Sequence, residues 1–552
     1  MNKNNLPIYF SIAIVLGILI GVFFAGNSND MLSFSKSQSK ELKIKKLINF
    51  IEQDYVDKID TDSLLDDAIT TILGDLDPHS VYIPKEELQE VTENMQGNFV
   101  GIGVQFRMIK DSITVVQTIK GGPSIKAGIK AGDRILIANN DTLYGKRLRS
   151  NNIPQYLKGK PDTKVKLQIY RKSNNSLFNV DVTRGNVNIK SVDLAYMMND
   201  SIGYIKLDRF ARNTYKEFKP ALNTLIKKGM KSLVLDLRGN GGGYIDIANR
   251  IIDEFLEDNK LMVFTKNNKE QIEEFFATEI GSFEKGGLYV LIDENSASAS
   301  EIVAGALQDN DKGTIIGRRS FGKGLVQIEM DLGDGSAVRL TTARYYTPTG
   351  RSIQKPYTNG EKTSYYKDYQ KRIISGELLT KDSIKVVDSL QYKTPKGKIV
   401  YGGGGIIPDV FVAIDTASYM SNFYFNSINN FAFDYVDNNR KKLSKWTVDS
   451  FIADFDKDET VFYNYLTSIE NSKNPLLKDL KNLKITYKDG TAFNSNSNIT
   501  NGSLDLKKQE SLKKYLKAAI ANTLFGDIGF YKIIHQDDKM LQKVLELESK
   551  KE

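Results

Sequence analysis

At 552 residues the chain can form several domains, and its 26% charged and 40% hydrophobic residues are typical of a globular protein. The 76 basic and 68 acidic residues leave a net charge of +8 that is spread along the chain, and without a basic stripe no nucleic-acid binding is predicted. With no cysteine and two distant histidines, a disulfide is excluded and a metal site is not expected.

The chain begins with a long apolar segment. Residues 6–26 are almost wholly apolar, and about twenty such residues can span a bilayer as a helix. A cleaved signal peptide is the alternative, but no clear Ala-x-Ala cleavage site follows. We therefore expect residues 1–30 to form an uncleaved membrane anchor. The lysines that follow do not by themselves place the bulk of the chain outside the cell, because large domains translocate largely regardless of such charges.

Residues 31–95 are predicted to be a helical region. Apolar residues recur at helical spacing between Leu42 and Ile51. Further along, Asp77-Pro78-His79-Ser80 has the composition of a turn. His79 is therefore interpreted as a turn residue and not as a catalytic group.

The stretch from Phe99 to Phe106 looks like a carboxylate-binding loop that runs into a strand, and Ala127 to Ile137 looks like a short helix, a turn and a strand. With these two stretches, residues 96–186 resemble a PDZ domain. PDZ domains add a peptide strand to an open sheet edge and bind the terminal carboxylate through backbone N–H groups. A β module without a ligand is the alternative. The resemblance implies that a protein tail binds to four consecutive residues, Val100, Gly101, Ile102 and Gly103.

Residues 187–412 have an α/β pattern. Two apolar runs, Ile202–Leu207 and Leu233–Leu237, predict buried strands that each precede a helix. A glycine-rich stretch, residues 238–243, follows the second run. It lacks the Gly-Lys-Ser/Thr ending of a P-loop, so no phosphate site is expected there. Residues 361–390 are a charged, partly helical insertion to which the sequence assigns no role.

A third apolar run, Leu288–Ile292, leads into a turn of small residues and then a helix near Ile302. This arrangement would present Ser298 at a helix N terminus, where free N–H groups and the helix dipole favour a developing negative charge. Ser298 and Glu301 also fit a capping box, in which the serine would only cap the helix.

A nucleophilic serine needs a base, and a lysine fits this sequence better than a histidine. His79 lies in a turn and His535 in the C-terminal tail, so a Ser-His-Asp triad is poorly supplied while a Ser-Lys pair is available. Lys323 lies between Gly322 and Gly324, which allow its backbone to approach closely. A lysine can act as a base only when burial lowers its pKa far enough to leave the amine neutral.

Residues 296–302 and 321–327 together resemble the signature of the carboxyl-terminal processing peptidases, also called tail-specific proteases. The separation of 323 − 298 = 25 positions matches that family as well. The resemblance implies Ser298 as nucleophile, Lys323 as general base and Gln327 as the residue that orients the lysine.

The same resemblance implies further roles. The glycine-rich loop would supply an N–H group to the oxyanion, from Gly241 or Gly242, and Ala299 would supply another. Asp309 matches an acidic position of some members and is a candidate for acidic support. The resemblance also favours an extracytoplasmic location, in the periplasm or cell envelope, and it implies no cofactor.

Residues 413–552 match no motif, and their aromatic periodicity predicts a mostly helical C-terminal extension. Dimerisation, docking of a partner and shielding of the active site are all compatible with it. An adaptor protein and a homo-oligomer are left open too.

The sequence thus predicts a multidomain α/β protein, in the order anchor (1–30), helical region (31–95), PDZ domain (96–186), peptidase core (187–412) and helical extension (413–552). The predicted function is a serine endopeptidase that recognises free protein C termini and cleaves peptide bonds. The alternative is a catalytically silent PDZ scaffold that only binds such tails, and the joint presence of the nucleophile, base and orienting residue argues against it. A transport function is not expected because there is one apolar segment.

Overall fold

The computed structural model describes residues 14–16, 30–109, 111–145, 152–415, 422–457, 459–470, 484–486, 492–494 and 506–551. The chain divides into two units, Met1–Leu76 and Asp77–Glu552. The first contains helices α1 (Asp30–Asp54) and α2 (Thr61–Gly74). Apart from residues 14–16 and 30, the predicted anchor lies outside the described residues, and none of the helices described is both long and apolar enough to cross a membrane.

The second unit begins with strand β1 (Val81–Ile83) and helix α3 (Lys85–Gln96). The PDZ module follows. Its elements are β2 (Asn98–Gly101), β3 (Val104–Ile109), β4 (Ser112–Thr118), α4 (Pro123–Lys126), β5 (Asp133–Ala138), β6 (Asp141–Thr142), α5 (Pro154–Leu157), β7 (Lys164–Arg171), β8 (Ser176–Thr183) and β9 (Gly185–Asn188).

Six PDZ strands form an antiparallel sheet in the order β3-β4-β5-β7-β8, with β6 paired to β5, while β2 and β9 form a separate two-stranded sheet. In β7, Val165, Leu167 and Ile169 are buried while Lys164 and Lys166 are exposed. This alternation directs one face of the sheet to the core. Strand β3 pairs only with β4, so it is an edge strand of this sheet within the described residues.

The peptidase core follows the PDZ module. Its elements are β10 (Val192–Met197), β11 (Ile202–Leu207), α6 (Thr214–Lys227), β12 (Ser232–Asp236), α7 (Ile245–Ile252), β13 (Leu261–Asn267), β14 (Ile272–Phe276), β15 (Gly287–Ile292), α8 (Ala299–Asp309), β16 (Thr314–Gly317), β17 (Leu325–Asp331), β18 (Ala337–Tyr346), α9 (Lys362–Tyr366), α10 (Asp368–Ile374), β19 (Gln391–Lys393), β20 (Ile399–Tyr401) and β21 (Val410–Phe411).

The main sheet of the core has the order β10-β11-β12-β15-β16-β21 and is parallel except at β10. The apolar runs identified in the sequence form its adjacent strands β11, β12 and β15. They are apolar throughout because both faces of the sheet are covered. In β12, Leu233 and Leu235 contact the layer of α6, α7 and α8, whereas Val234 between them faces the other side.

The core contains a second sheet. Its strand order is β1-β18-β13-β14, and β17 also pairs with β18. Strands β1 and β17 both pair with the long strand β18, Tyr82 opposite Val338 and Gln327 opposite Thr341. The shared partner strand brings the turn at residues 77–80 close to Gln327, although they are far apart in the chain.

The C-terminal extension is mostly helical, as predicted. Its helices are α11 (Asn422–Leu443), α12 (Val448–Asp454), α13 (Thr460–Glu470), α14 (Leu506–Phe525), α15 (Asp527–Ile534) and α16 (Lys539–Ser549). In α16, Met540, Leu541 and Val544 are buried against the second face of the main sheet. In α11, Asp437 forms an ion pair with Arg134 of the PDZ module at 3.2 Å. The extension therefore contacts both the peptidase core and the PDZ module.

Candidate active site

The turn between β15 and α8 presents Ser298 at the N terminus of α8. Ser298 has φ 56° and ψ −114°, a backbone conformation that non-glycine residues rarely adopt. Such strain costs about 1–3 kcal/mol and persists only where the surroundings hold it. Two neighbouring hydroxyl groups hold the turn in this conformation. Ser296 Oγ donates to Leu237 O at 2.9 Å. Ser300 Oγ donates to Asn240 O at 2.9 Å, which fixes the turn against the glycine-rich loop.

The buried carboxylate of Glu301 joins the Ser298 turn to the Lys323 loop. Its Oε2 accepts hydrogen bonds from the backbone N–H groups of Ser298 and Lys323, both at 2.8 Å. Its Oε1 accepts from Gly322 N at 2.7 Å and from Ser320 Oγ at 2.5 Å. Burial raises the pKa of Glu301, and these four hydrogen bonds oppose the shift. The glutamate of the expected capping box therefore also positions the lysine loop.

The side chain of Lys323 is held by Gln327. Its Nζ donates to Gln327 Oε1 at 2.8 Å. Burial lowers the pKa of Lys323 to about 8, and the positive charge of Arg339 lowers it too, while Glu301 and Asp77 oppose the shift. A pKa of about 8 leaves roughly a tenth of this amine neutral at pH 7. The lysine is thus able to take up a proton near neutral pH.

Tyr345 of β18 links the same two backbones a second time. Its hydroxyl lies 2.6 Å from Lys323 O and 3.2 Å from Ser298 O, and its side chain is buried. Ser298 and Lys323 are therefore brought together by two shared partners, Glu301 and Tyr345. Nothing in the sequence pattern singles out Tyr345, which is one of several aromatic residues in a strand.

The turn at residues 77–80 supports Gln327 from its other end. Gln327 Nε2 donates to the backbone carbonyl of His79. The Asp77 carboxylate fixes the turn by accepting from His79 N at 2.8 Å, Ser80 N at 3.0 Å and Ser80 Oγ at 2.5 Å. Burial and the nearby charge of Lys323 lower the pKa of His79 to about 4, so its ring is neutral at neutral pH. His79 thus lies in a turn, but this turn belongs to the site.

The glycine-rich loop packs directly against Ser298. A Cβ atom added to Gly242, whose φ is +100°, would lie 2.8 Å from Ser298 Cβ and 2.9 Å from Ala299 N. The N–H of Gly242 donates to Asn240 Oδ1 at 2.9 Å. Within the described residues, the N–H groups of Gly241 and Ala299 donate no hydrogen bond. Thus, among the described residues, the glycine-rich loop and the start of α8 each have one backbone N–H group near Ser298 that donates no hydrogen bond.

Asp309 lies at the opposite end of α8 from Ser298. The helix has 11 residues, or about 16 Å of length. The Asp309 carboxylate is buried, pairs with Arg351 Nη2 at 2.7 Å and accepts from Thr349 Oγ1 at 2.6 Å. The structure does not bring Asp309 to the Lys323 side chain. Its contacts order the loop that follows β18.

The four PDZ residues lie at the start of the module. Val100 and Gly101 belong to β2, where they pair with Asn186 and Gly185 of β9. Ile102 and Gly103 form the loop before the edge strand β3, and within the described residues their N–H groups donate no hydrogen bond. The loop therefore leaves two N–H groups available beside an edge strand.

The described part of the chain contains no group of three or more His, Cys, Asp or Glu side chains that could hold a metal ion.

Comparison with known proteins decides the family. The model of peptidase family S41 matches residues 201–361, and that of the PDZ domain matches residues 100–182. The carboxy-terminal processing protease CtpA of Bacillus subtilis is 33% identical over 408 residues, which cover 71% of this chain and 86% of the relative. This chain belongs to the carboxy-terminal processing protease family. It is a serine-type peptidase with a PDZ domain.

This carboxy-terminal processing protease is also similar to other known proteins. A carboxy-terminal-processing protease of Bartonella bacilliformis is 35% identical over 351 residues, covering 62% of this chain and 80% of the relative. A photosystem II D1 C-terminal processing protease of known structure is 25% identical, covers 67% of this chain and 86% of its own, and has a TM-score of 0.36. Residues 25–87 match the N-terminal domain of the activating protease CtpB, and residues 419–526 match a family of unknown function.

Proposed function

We propose that this protease cleaves peptide bonds with Ser298 as nucleophile and Lys323 as general base. The observation that carries the proposal is the Lys323 amine, which has a pKa of about 8 and donates to Gln327, on a loop that shares the Glu301 carboxylate with the strained Ser298 turn. A lysine with a lowered pKa can activate a serine that has no histidine partner.

In the proposed reaction, Ser298 Oγ attacks the scissile carbonyl carbon while the neutral Lys323 amine takes the hydroxyl proton. The new C–O bond leaves a negative charge on the carbonyl oxygen. When the C–N bond breaks, the Lys323 ammonium returns a proton to the leaving amine, and an ester to Ser298 remains. Lys323 then takes a proton from water, which attacks the ester carbon. When the C–O bond to Ser298 breaks, the Lys323 ammonium returns the proton to Ser298 Oγ, and the acid and the free serine are released.

The unused N–H groups of Gly241 and Ala299 are the proposed donors to the oxyanion. The N–H of Gly242 is less suited because it already donates to Asn240. Gly242 instead contributes by having no side chain, since an added Cβ atom would lie 2.8 Å from Ser298 Cβ. Donors aimed at a developing oxyanion are usually worth several kcal/mol of barrier lowering.

Replacing Gly242 by alanine is expected to lower kcat/KM by roughly a hundredfold, because a methyl group there displaces Ser298 and Ala299. Gly74→Ala is the control. A Cβ at Gly74 meets nothing within 4 Å, and Gly74 is not among the residues of the site, so we expect activity within about twofold of wild type. Steady-state cleavage of one peptide by both variants tests this, and equal losses would remove the proposed distinction.

The pH dependence should follow Lys323. Because burial and Arg339 lower its pKa to about 8, kcat/KM should rise about tenfold per unit at low pH and level off above about pH 8. Arg339→Gln removes a positive charge that lowers this pKa, so the rise should move to higher pH. Arg344→Gln, on the same strand, is the control and should leave the profile in place. A profile that Arg339→Gln does not move would contradict the assignment.

Tail recognition by the PDZ module is the second part of the proposal. Among the residues that the structure describes, the N–H groups of Ile102 and Gly103 donate no hydrogen bond, and β3 pairs with β4 alone. These are the two features with which a PDZ domain binds a C-terminal carboxylate and the strand before it. The partners would be proteins with a free, extended C terminus.

Amidation of a substrate's C terminus should lower kcat/KM by roughly ten- to a hundredfold. It removes the charge that the loop would bind, and hydrogen bonds to a charged group are worth about 1.5–3 kcal/mol. The measurement compares two peptides that share one sequence and scissile bond and differ only in the terminal group. Equal rates would remove tail recognition from the mechanism.

The full chain incubated with an unstructured protein tests the activity itself. Ser298→Ala serves as the inactive control, and fragments that appear with wild type alone support the proposal. If neither protein cleaves while both bind free C-terminal peptides, the silent PDZ scaffold is the better description.

Membrane anchoring through residues 1–30, with the body of the chain extracytoplasmic, is also proposed, on the apolar character of residues 6–26. Alkaline carbonate washing of membranes tests it, because an anchored chain stays in the pellet. Protease added outside intact spheroplasts should reach the catalytic body.

A further inference from the structure

A chain of hydrogen bonds runs from the Lys323 amine to Tyr365, which lies outside the residues matched by the peptidase family model. Lys323 Nζ donates to Gln327 Oε1 at 2.8 Å, and Gln327 Nε2 donates to His79 O. The ring of the same histidine continues the path, since His79 Nε2 lies 2.9 Å from the Tyr365 hydroxyl. The family model ends at residue 361, four positions before this tyrosine.

A second path leads from Tyr365 back to the lysine. Gln354 Nε2 donates to the Tyr365 hydroxyl at 3.3 Å, and Gln354 Oε1 accepts from Gly324 N at 2.8 Å. Gly324 follows Lys323 in the chain, so the ring of contacts closes. We call Lys323, Gln327, His79, Tyr365 and Gln354 the tyrosine circuit. The Tyr365 hydroxyl accepts from Gln354, and the histidine tautomer sets whether it donates to His79 Nε2 or accepts from it.

Tyr365 is buried among groups that hold its ring in place. It is 4% exposed and meets the rings of His79 and Phe321 edge-on, with centroids 5.2 Å and 5.9 Å away. The Lys355 ammonium lies 4.1 Å from the centre of the Tyr365 ring. A hydroxyl held this firmly in a buried position can fix the direction of its partners.

The insertion of residues 361–390 carries Tyr365 and holds both ends of the site. Lys362 Nζ donates to Ser80 O at 3.1 Å, in the turn that also contains His79. Arg372 Nη1 donates to Ser320 O at 2.9 Å, at the start of the lysine loop. The insertion therefore contacts both the turn at residues 77–80, which binds Gln327, and the loop that carries Lys323.

We propose that Tyr365 is a positioning residue for the reaction: through His79 and Gln354 it fixes Gln327 and the lysine loop, and so the direction of the Lys323 amine. The inference rests on the proposed function of Lys323 as general base. It gives the insertion, to which the sequence assigned no role, a part in completing the active site.

The first test is Tyr365→Phe, which keeps the ring and removes only the hydroxyl. We expect kcat to fall about tenfold with KM nearly unchanged, as for loss of one buried hydrogen bond that acts on the reacting group. Tyr369→Phe, in the same insertion and 43% exposed, is the control and should keep wild-type kcat. An unchanged kcat in a folded Tyr365→Phe protein would overturn the proposal.

The second test separates positioning from general support of the fold. If Tyr365 acts through Gln327, then Tyr365→Phe should have almost no further effect in a Gln327→Ala background. A purely structural role would lower activity by the same tenfold in both backgrounds, and that result would also overturn the proposal. His79→Phe breaks the same link while keeping a ring and the backbone carbonyl. It should reproduce the tenfold loss and be non-additive with Tyr365→Phe, which provides the test if one variant folds poorly.

The outcome is separable from that of the proposed function. Activity in a folded Lys323→Ala protein would refute the base and the inference together. An inactive Lys323→Ala protein alongside a fully active Tyr365→Phe protein would refute the tyrosine circuit alone.

Discussion

Replacing Lys323 by alanine is expected to lower kcat/KM by about 10⁴- to 10⁶-fold and to leave the fold intact. Ser298→Ala should cost about as much, and the double variant no more than either, because a nucleophile and its base act as one unit. The physical reason is that an unactivated serine hydroxyl is a weak nucleophile at neutral pH. Single-turnover cleavage and thermal unfolding of the three variants measure both effects.

Lys323→Arg sharpens this expectation. A guanidinium keeps the positive charge but cannot give up its proton in a protein, so the loss should match that of Lys323→Ala. Lys312→Arg is the control, since Lys312 is also partly buried with a lowered pKa but donates to the backbone carbonyl of Gly286. An active, folded Lys323→Ala protein would rule out the proposed base.

Glu301→Gln is expected to damage both activity and stability. Each oxygen of this buried carboxylate accepts two hydrogen bonds, from Ser298 N and Lys323 N or from Gly322 N and Ser320 Oγ. An amide NH₂ in either position faces at least one N–H group that then has no acceptor. A buried unsatisfied donor costs about 1–3 kcal/mol, so we expect a loss of this order in the free energy of unfolding.

The same substitution should lower kcat/KM by at least about a hundredfold, because the Ser298 turn and the Lys323 loop lose their common partner. Glu270→Gln is the control. Glu270 is 75% exposed in an ion pair with Lys266, and such surface pairs contribute about 0–1 kcal/mol. Chemical denaturation together with kinetics measures both effects. Wild-type stability and activity in Glu301→Gln would show that the carboxylate does not hold the two loops.

The sequence was most informative where the site is local. Ser298, Glu301, Lys323 and Gln327 lie within thirty consecutive positions, and their spacing together with the small residues around them predicted a strand, a tight turn and a helix. These elements are present as β15, the turn and α8. The roles of the four side chains remain predictions.

What the sequence did not reveal depends on contacts between distant segments. Tyr345 and Tyr365 have no motif around them, and the turn at His79 gains its place only through the pairing of β1 and β17 with β18. The family resemblance offered Asp309 as possible acidic support, a role that stays a prediction. In the structure one helix separates it from Ser298, and its carboxylate pairs with Arg351.

Helices were predictable in the C-terminal extension, but the surfaces that they cover were not. Apolar spacing shows that a helix has a buried face, whereas the partner of that face depends on the whole fold. The apolar runs of β12 and β15 did carry a signal. They are buried on both sides, which requires a second layer beyond α6, α7 and α8.

That second layer has a consequence for how the protein is made. The side chains of α16 that cover the main sheet are Met540, Leu541 and Val544. Met540 follows Phe411, the last residue of β21, by 540 − 411 = 129 positions. Chains fold from the N terminus while they are synthesised, at about 5–20 residues per second, so roughly 6–26 seconds pass between the synthesis of the last strand and that of the helix. During this interval the strands of the sheet are complete while the part of its apolar face that α16 covers is still exposed.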